Sequence, residues 1–356
     1  MNLSNLKFDE ESWRFSRLAD KLPQTVTPVA MVPSMEADIT FMGDQIHVAQ
    51  LPTGIQKVST PVSASVYAHD DMAILPTKTA HSLHLQVTKT PARPLKISIV
   101  RTAQPEGTTL AYFTLTVKAG VSCSILELCD GGETGLTTQT HHFQLEDGAT
   151  LDHAVILREG TEAYHVSTLE YRLAKDATLR QTVLALGGKL TRIQLGILLD
   201  GENAYAHAAS LSALTNKTQV DVHSHIQHNA PRSFSFQKAK NFLDQESRGI
   251  FTGRIVIAKD SQQVAAQQMN RNLLLSKKAH AMGQPQLEIY ADDVKCAHGS
   301  STGMVEEEST FYLESRGISP KRAQEMLSQA FVQEVFNNSH DPSLVAALQT
   351  AFQGRL

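Results

Sequence analysis

A turn-like segment recurs along the middle of the chain at a nearly fixed interval. It reads KTPARPL from Lys89, VKAGVSC from Val117, LEDGATL from Leu145, LAKDATL from Leu173 and LDGENAY from Leu199, at spacings of 28, 28, 28 and 26 residues. Six positions after each start stand Leu95, Cys123, Leu151, Leu179 and Tyr205. A column of apolar side chains at a fixed period is what the stacked coils of a solenoid produce. The filler between the turns decides the type. Residues 110–117 and 151–157 alternate with period two, are rich in Thr, Val and Ile, and are too short for the helices of a helical repeat. IQHNAPRSF from Ile226 and IAKDSQQV from Ile257 continue the rhythm at gaps of 27 and 31. The expected fold is mainly β: a right-handed parallel β-helix of roughly seven or more coils, each rising about 4.8 Å.

Short helical segments flank it. Residues 8–22, FDEESWRFSRLADKL, carry Phe8, Phe15, Leu18 and Leu22 at helical spacing before Pro23. Prolines then punctuate brief apolar runs up to residue 90, where short strands and loops are expected. After Gly303 the pattern becomes helical: residues 306–316 lead to Gly317 as a C′ residue, and Ser319 with Pro320 opens a second helix. Its stripe, Ala323, Met326, Leu327, Ala330, Phe331 and Val335, docks either on the chain's own β-helix or on a partner. Asp341 and Pro342 start a last helix that fades near Gly354. The expected division is 1–75 for the amino-terminal segment, 76–303 for the β-helix and 304–356 for the helices.

With 32 basic and 36 acidic residues and no Lys/Arg-dense tract, nucleic acid is not an expected partner. No apolar run approaches the length of a membrane helix, and residues 1–20 lack a signal-peptide core, so the expected location is cytoplasmic with no membrane contact. Three cysteines, Cys123, Cys129 and Cys296, without a C-x-x-C pair, argue against a disulfide framework and a zinc ribbon. Phosphate-loop, nucleophile-elbow and zincin motifs are all missing, Gly187-Gly188-Lys189 being followed by Leu190.

Two stretches offer chemistry. In LEIYADDVKCAHGSSTG from Leu287, a strand would project Cys296 and His298 to one face, half of a metal site awaiting ligands from elsewhere or from a second chain. The bland reading is a packed thiol and a turn-capping imidazole. Asp221, His223 and His225 alternate on one strand, with His228 following. These four define the alternative function, a metal-dependent enzyme built on a β-helix surface, against a solvated polar ladder.

The text DVHSHIQH, GIFTGRIVI, NLLLS, PQLEIYADDVKCAHGSSTG and TFYLESRGIS resembles the SufB/SufD family of iron–sulphur cluster assembly scaffolds, its SufD branch in particular, and ESWRFSRL resembles the family's first helix. These blocks cover about a third of the chain. The resemblance implies a non-enzymatic scaffold that pairs with a SufB-type subunit and binds a SufC-type ATPase, with a homodimer when isolated. It implies no cofactor held stably by the isolated chain, an iron–sulphur cluster carried transiently at the subunit interface, and leaves a flavin in the complex open. Cys296 and His298 fall on the family's Cys-x-His, and Phe311, Arg316, Gly317, Phe331 and Val335 on its ATPase-binding helices. The segment before the β-helix is short for the family, and Ser300 replaces its alanine after His-Gly.

Overall fold

The computed structural model describes residues 37–43, 45–59, 82–101, 108–305 and 307–353, so the helix expected over residues 8–22 lies outside them. The strands are β1 (Ile39–Met42), β2 (Gln45–Val48), β3 (Ile55–Lys57), β4 (Leu83–Val87), β5 (Leu95–Val100), β6 (Thr108–Val117), β7 (Ser122–Leu145), β8 (Thr150–Leu173) and β9 (Thr178–Ala185). They continue as β10 (Leu190–Leu199), β11 (Tyr205–Leu214), β12 (Gln219–His228), β13 (Phe234–Leu243), β14 (Arg248–Ile257), β15 (Val264–Leu274), β16 (His280–Ile289) and β17 (Val294–Met304). Each coil supplies one strand to each of two parallel ladders. One runs from β1 and β5 through the first halves of β7 and β8 to β9, β11, β13, β15 and β17. The other runs from β4 and β6 through the second halves of β7 and β8 to β10, β12, β14 and β16. This is the parallel β-helix that the repeat called for.

One corner of the coil explains the rhythm. Gly120, Gly148, Asp176, Asn203, Arg232 and Gln263 all have positive φ, between 56° and 68°. Each donates its backbone N–H to a carbonyl of the next coil's turn, at Asp147, Lys175, Glu202, Pro231, Gln262 and Asp293. Gly, Asp and Asn tolerate this left-handed conformation best, so the turns were legible where they occur and blurred where Arg232 and Gln263 take the position.

The register corrects two members of the expected column. Cys123 aligns with Leu151, Leu179, Ala206, Ser235, Ala266 and finally Cys296. Leu95 aligns instead with Ile125, two residues further on, and stays on the inner face. Tyr205 aligns with Thr178 and, being one residue out of phase, points away from the interior to stack on Phe234 at 5.0 Å between ring centroids. Cys123 is buried, and burial pushes its thiol up to about 12, so it packs as an apolar group.

The interior changes character along its length. Leu151, Leu179, Val183, Ile193, Ile197 and Leu199 fill the central coils without exposure. Towards β17 the inward positions become amides: Gln237, Gln268, Asn241, Asn270 and Asn272. Asn241 Nδ2 donates to Asn272 Oδ1 at 2.7 Å, and Asn272 Nδ2 to Thr302 Oγ1 at 2.9 Å. A buried amide without such partners would cost about 1–3 kcal/mol, and each of these makes at least one bond to a neighbour in an adjacent coil.

Helices α1 (Glu307–Ser315), α2 (Pro320–Phe336) and α3 (Pro342–Phe352) follow. Ser319 caps α2 by accepting from Arg322 N, and Asp341 caps α3 by accepting from Ser343 N at 2.9 Å. Gly317, at φ 84°, ends α1 as a C′ residue, Ile318 N donating back to Leu313 O. Val332, Val335, Phe336, Leu344, Leu348 and Phe352 form a second core against the outward side chains of Ala154, Ile156, Leu184, Leu211 and Phe242. The Asn338 amide fastens the α2–α3 joint by donating to Gln181 O at 2.7 Å and Thr182 Oγ1 at 3.0 Å.

Candidate functional site

Strand β17 is the last rung of its ladder and meets β15; β16 likewise meets β14. Among the described residues neither has a further strand partner, so the inward face of this coil opens to solvent. Cys296 and His298 are both on that face. Cys296 terminates the Cys123 column, half-buried over Ala266, and burial pushes its thiol up. His298 terminates the parallel column through Ile125, His153, Gln181, Ala208, Gln237 and Gln268, and its imidazole is exposed. The chain therefore presents a thiol and an imidazole side by side at an unpaired strand edge. Exposed Met282, Ile289 and Met304 accompany them on the two terminal strands, with exposed Tyr290 just after β16. Among the described residues no third Cys, His or carboxylate joins this pair in a metal-sized cluster.

The alternative ligand set does not converge. Asp221, His223 and His225 share the outward face of β12, but His228, three positions beyond His225, points inward and is held by the hydroxyls of Ser233 and Ser235, each at 2.8 Å. Burial lowers the His228 pKa to about 4. Asp221 is paired with Arg192, whose Nη1 donates to Oδ2 at 2.6 Å; burial would raise this carboxyl, yet Arg192 and His223 hold it below its ordinary value. Burial and the same guanidinium lower His223. The face is not solvated either, since Asp221 and His223 are both buried. A carboxylate already neutralised by a guanidinium and a histidine on the wrong face make a structural ion pair, not a catalytic metal centre.

The carboxy-terminal residues separate into two groups. Phe311 is 71% exposed and Tyr312 59%. Arg316 lies 5.2 Å from the Tyr312 ring centroid, so α1 shows an aromatic surface edged by a cation. Val335, by contrast, is fully buried in the chain's own second core, and Phe331 packs beside it under Lys240, whose ammonium lies 4.4 Å from the ring centroid. The carboxy-terminal part of the stripe, Phe331 and Val335, thus docks on this chain's β-helix, which removes Val335 from the candidate partner contacts, while Met326 and Ala330 stay exposed. Its apolar periodicity gave no sign of which surface it meets.

Residues 100–331, from the end of β5 through β17 and most of α2, match the family described as SUF system FeS cluster assembly, SufBD core domain. The chain belongs to this family. The similarity runs to the SufD branch: the Escherichia coli iron–sulfur cluster assembly protein SufD is 33% identical over 234 residues, 62% of this chain and 55% of that protein. A Synechocystis iron–sulfur cluster assembly SufBD family protein is 32% identical over 205 residues, covering 58% and 45% of the two chains. Protein ABCI7, chloroplastic, of Arabidopsis thaliana is 28% identical over 226 residues, covering 63% and 48%. The chain spans about half the length of these relatives. Among the described residues of this SufBD-family chain, no helix is long and apolar enough to cross a membrane.

Proposed function

We propose that this chain is a scaffold subunit of the SUF iron–sulphur assembly machinery, without catalytic chemistry of its own. It pairs with a SufB-type subunit across the terminal coil and carries a SufC-type ATPase on its carboxy-terminal helices. The observation that carries this reading is the placement of Cys296 and His298 on the open inward face of β17. An unpaired parallel edge invites a second chain, and a two-ligand set is completed by ligands that chain brings. The nascent cluster is cargo held at this joint, where neutral imidazole and thiolate suit iron. The exposed Phe311 and Tyr312 of α1, with Arg316 just beyond its end, supply the aromatic and arginine anchors that dominate interfaces. Alone, the chain pairs with a second copy through the same coil.

Co-expression with SufB-type and SufC-type partners tests the reading. His298→Ala leaves the complex assembled but lowers the iron and acid-labile sulphide recovered with it, whereas Cys296→Ala is milder. Full cluster content in the His298→Ala complex, or failure of the wild-type chain to associate with either partner, overturns it.

A further inference from the structure

A second group of metal-ligating side chains lies inside the β-helix in the coils of β7 and β8, away from the terminal coil, and the scaffold reading makes no use of it. Cys129 on β7 and Glu159 and His165 on β8 are fully buried and meet around one point. Cys129 Sγ is 3.6 Å from Glu159 Oε1 and 3.7 Å from His165 Nδ1, and those two atoms are 2.8 Å apart. We infer that Cys129, Glu159 and His165 form a binding site for a divalent transition-metal ion of the zinc class.

Geometry supports the assignment first. Metal–ligand bonds of about 2.3 Å to sulphur and about 2.0–2.2 Å to nitrogen and oxygen, at tetrahedral angles, set the ligand atoms about 3.3–3.6 Å apart. The two contacts to sulphur already match. The shortest, between carboxylate and imidazole, is a hydrogen bond that opens by about 0.5 Å when the ion takes the place of its proton. On binding, the Cys129 thiol proton is released to solvent and the imidazole proton moves to Nε2, leaving Nδ1 free to coordinate. Nε2 is buried and makes no hydrogen bond in the structure.

The surroundings support it second. The two oxygens of Glu159 have separate partners: Oε2 accepts from Arg101 Nη2 at 2.7 Å, while Oε1 alone faces the sulphur and the imidazole. Arg101 is itself fixed by donating to Thr137 Oγ1 at 3.1 Å. An outer partner that orients one carboxylate oxygen and leaves the other to the ion is the usual arrangement around a protein-bound metal. Backbone room is provided as well, because a Cβ at Gly131 would overlap the Glu159 carboxylate. One sulphur, one nitrogen and one oxygen suit zinc or ferrous iron rather than magnesium or calcium, which take oxygen ligands. The inference revises the expectation that the isolated chain holds no group stably.

The test uses the full chain carrying Cys296→Ser and His298→Ala, which silences the terminal pair. Zinc content after dialysis should be about one ion per chain, and Co²⁺ alone should give thiolate-to-cobalt charge-transfer absorbance. Cys129→Ala and His165→Ala each remove the ion, and Arg101→Gln weakens zinc binding by about 10–100-fold. If those variants fail to fold, the cobalt spectrum of the Cys296→Ser, His298→Ala chain decides: no charge-transfer band overturns the site. Metal retained in folded Cys129→Ala, or no zinc bound at all, would likewise mean a closed hydrogen-bonded cluster around the Arg101–Glu159 pair.

Discussion

Gln268 sits in register directly beneath His298, and its Nε2 donates to Oε1 of Gln237 in the coil before it at 2.9 Å. The imidazole therefore caps a rail of interior amides rather than an aliphatic core. Ser224 adds its hydroxyl to the same Gln237 oxygen at 2.9 Å. Gly253 leaves the space, since a Cβ there would overlap Gln268. Beneath His298, then, side chains on three different strands, Gln268, Gln237 and Ser224, are buried and hydrogen-bonded to one another.

Leu151 and Leu179 are adjacent in one inner column and are both fully buried. Leu151→Ala or Leu179→Ala should each cost about 2–5 kcal/mol, read as a lower midpoint in urea unfolding with the slope unchanged. Tyr205→Ala, outside the column, should cost less than either. Equal losses at all three positions would contradict the register.

On the carboxy-terminal helices, Phe311→Asp and Tyr312→Asp should abolish capture of a SufC-type ATPase while leaving thermal unfolding and circular dichroism near those of the wild type, because both rings are exposed. Val335→Asp buries a charge among Phe336, Leu344 and Leu348. It should loosen α2 and α3 from the β-helix and show early proteolysis there, whatever happens to partner binding. A folded Val335→Asp chain that merely loses the partner would reverse this division.

His228 gives a pH dependence of definite sign. Below pH 6.5 the unfolded chain takes up a proton that the folded one refuses until about pH 4, so stability is lost as pH falls through that window. The contribution is about 3 kcal/mol at most. Replacing His228 by Gln should flatten the difference between urea midpoints at pH 7 and pH 4.5; an unchanged difference would rule this histidine out.

The β-helix was readable from the sequence because its left-handed corner asks for Gly, Asp or Asn once per coil, and four of the six corners have one. The same signal misplaced Tyr205, since a coil one residue shorter moves a strand out of phase with period two. Cys296 and His298 were readable because residues two apart on a strand share a face. His228 was misjudged for the complementary reason: three residues from His225, it takes the opposite face. Ser319, Gly317 and Asp341 announced the helix ends through their caps, whereas nothing in an apolar stripe tells a chain's own sheet from a partner. Cys129, Glu159 and His165 meet only because parallel coils align residues about thirty apart, Cys129 with Leu157 for example, and Glu159, two residues past Leu157, shares its inward face while Gly131 leaves room for the carboxylate. No local motif encodes that.

An open-ended β-helix stands one step from a fibre, because any chain that adds a coil recreates the edge it covered. The amides inside the terminal coils set a condition on that growth. Asn270, Asn272 and Gln268 are matched by Ser300, Thr302 and His298. A newcomer with an aliphatic interior would strand these polar groups, while one with complementary polar groups in register would satisfy them. On the proposed pairing, the polar lining would act as a lock on the end of the stack, favouring a cognate coil over indiscriminate polymerisation.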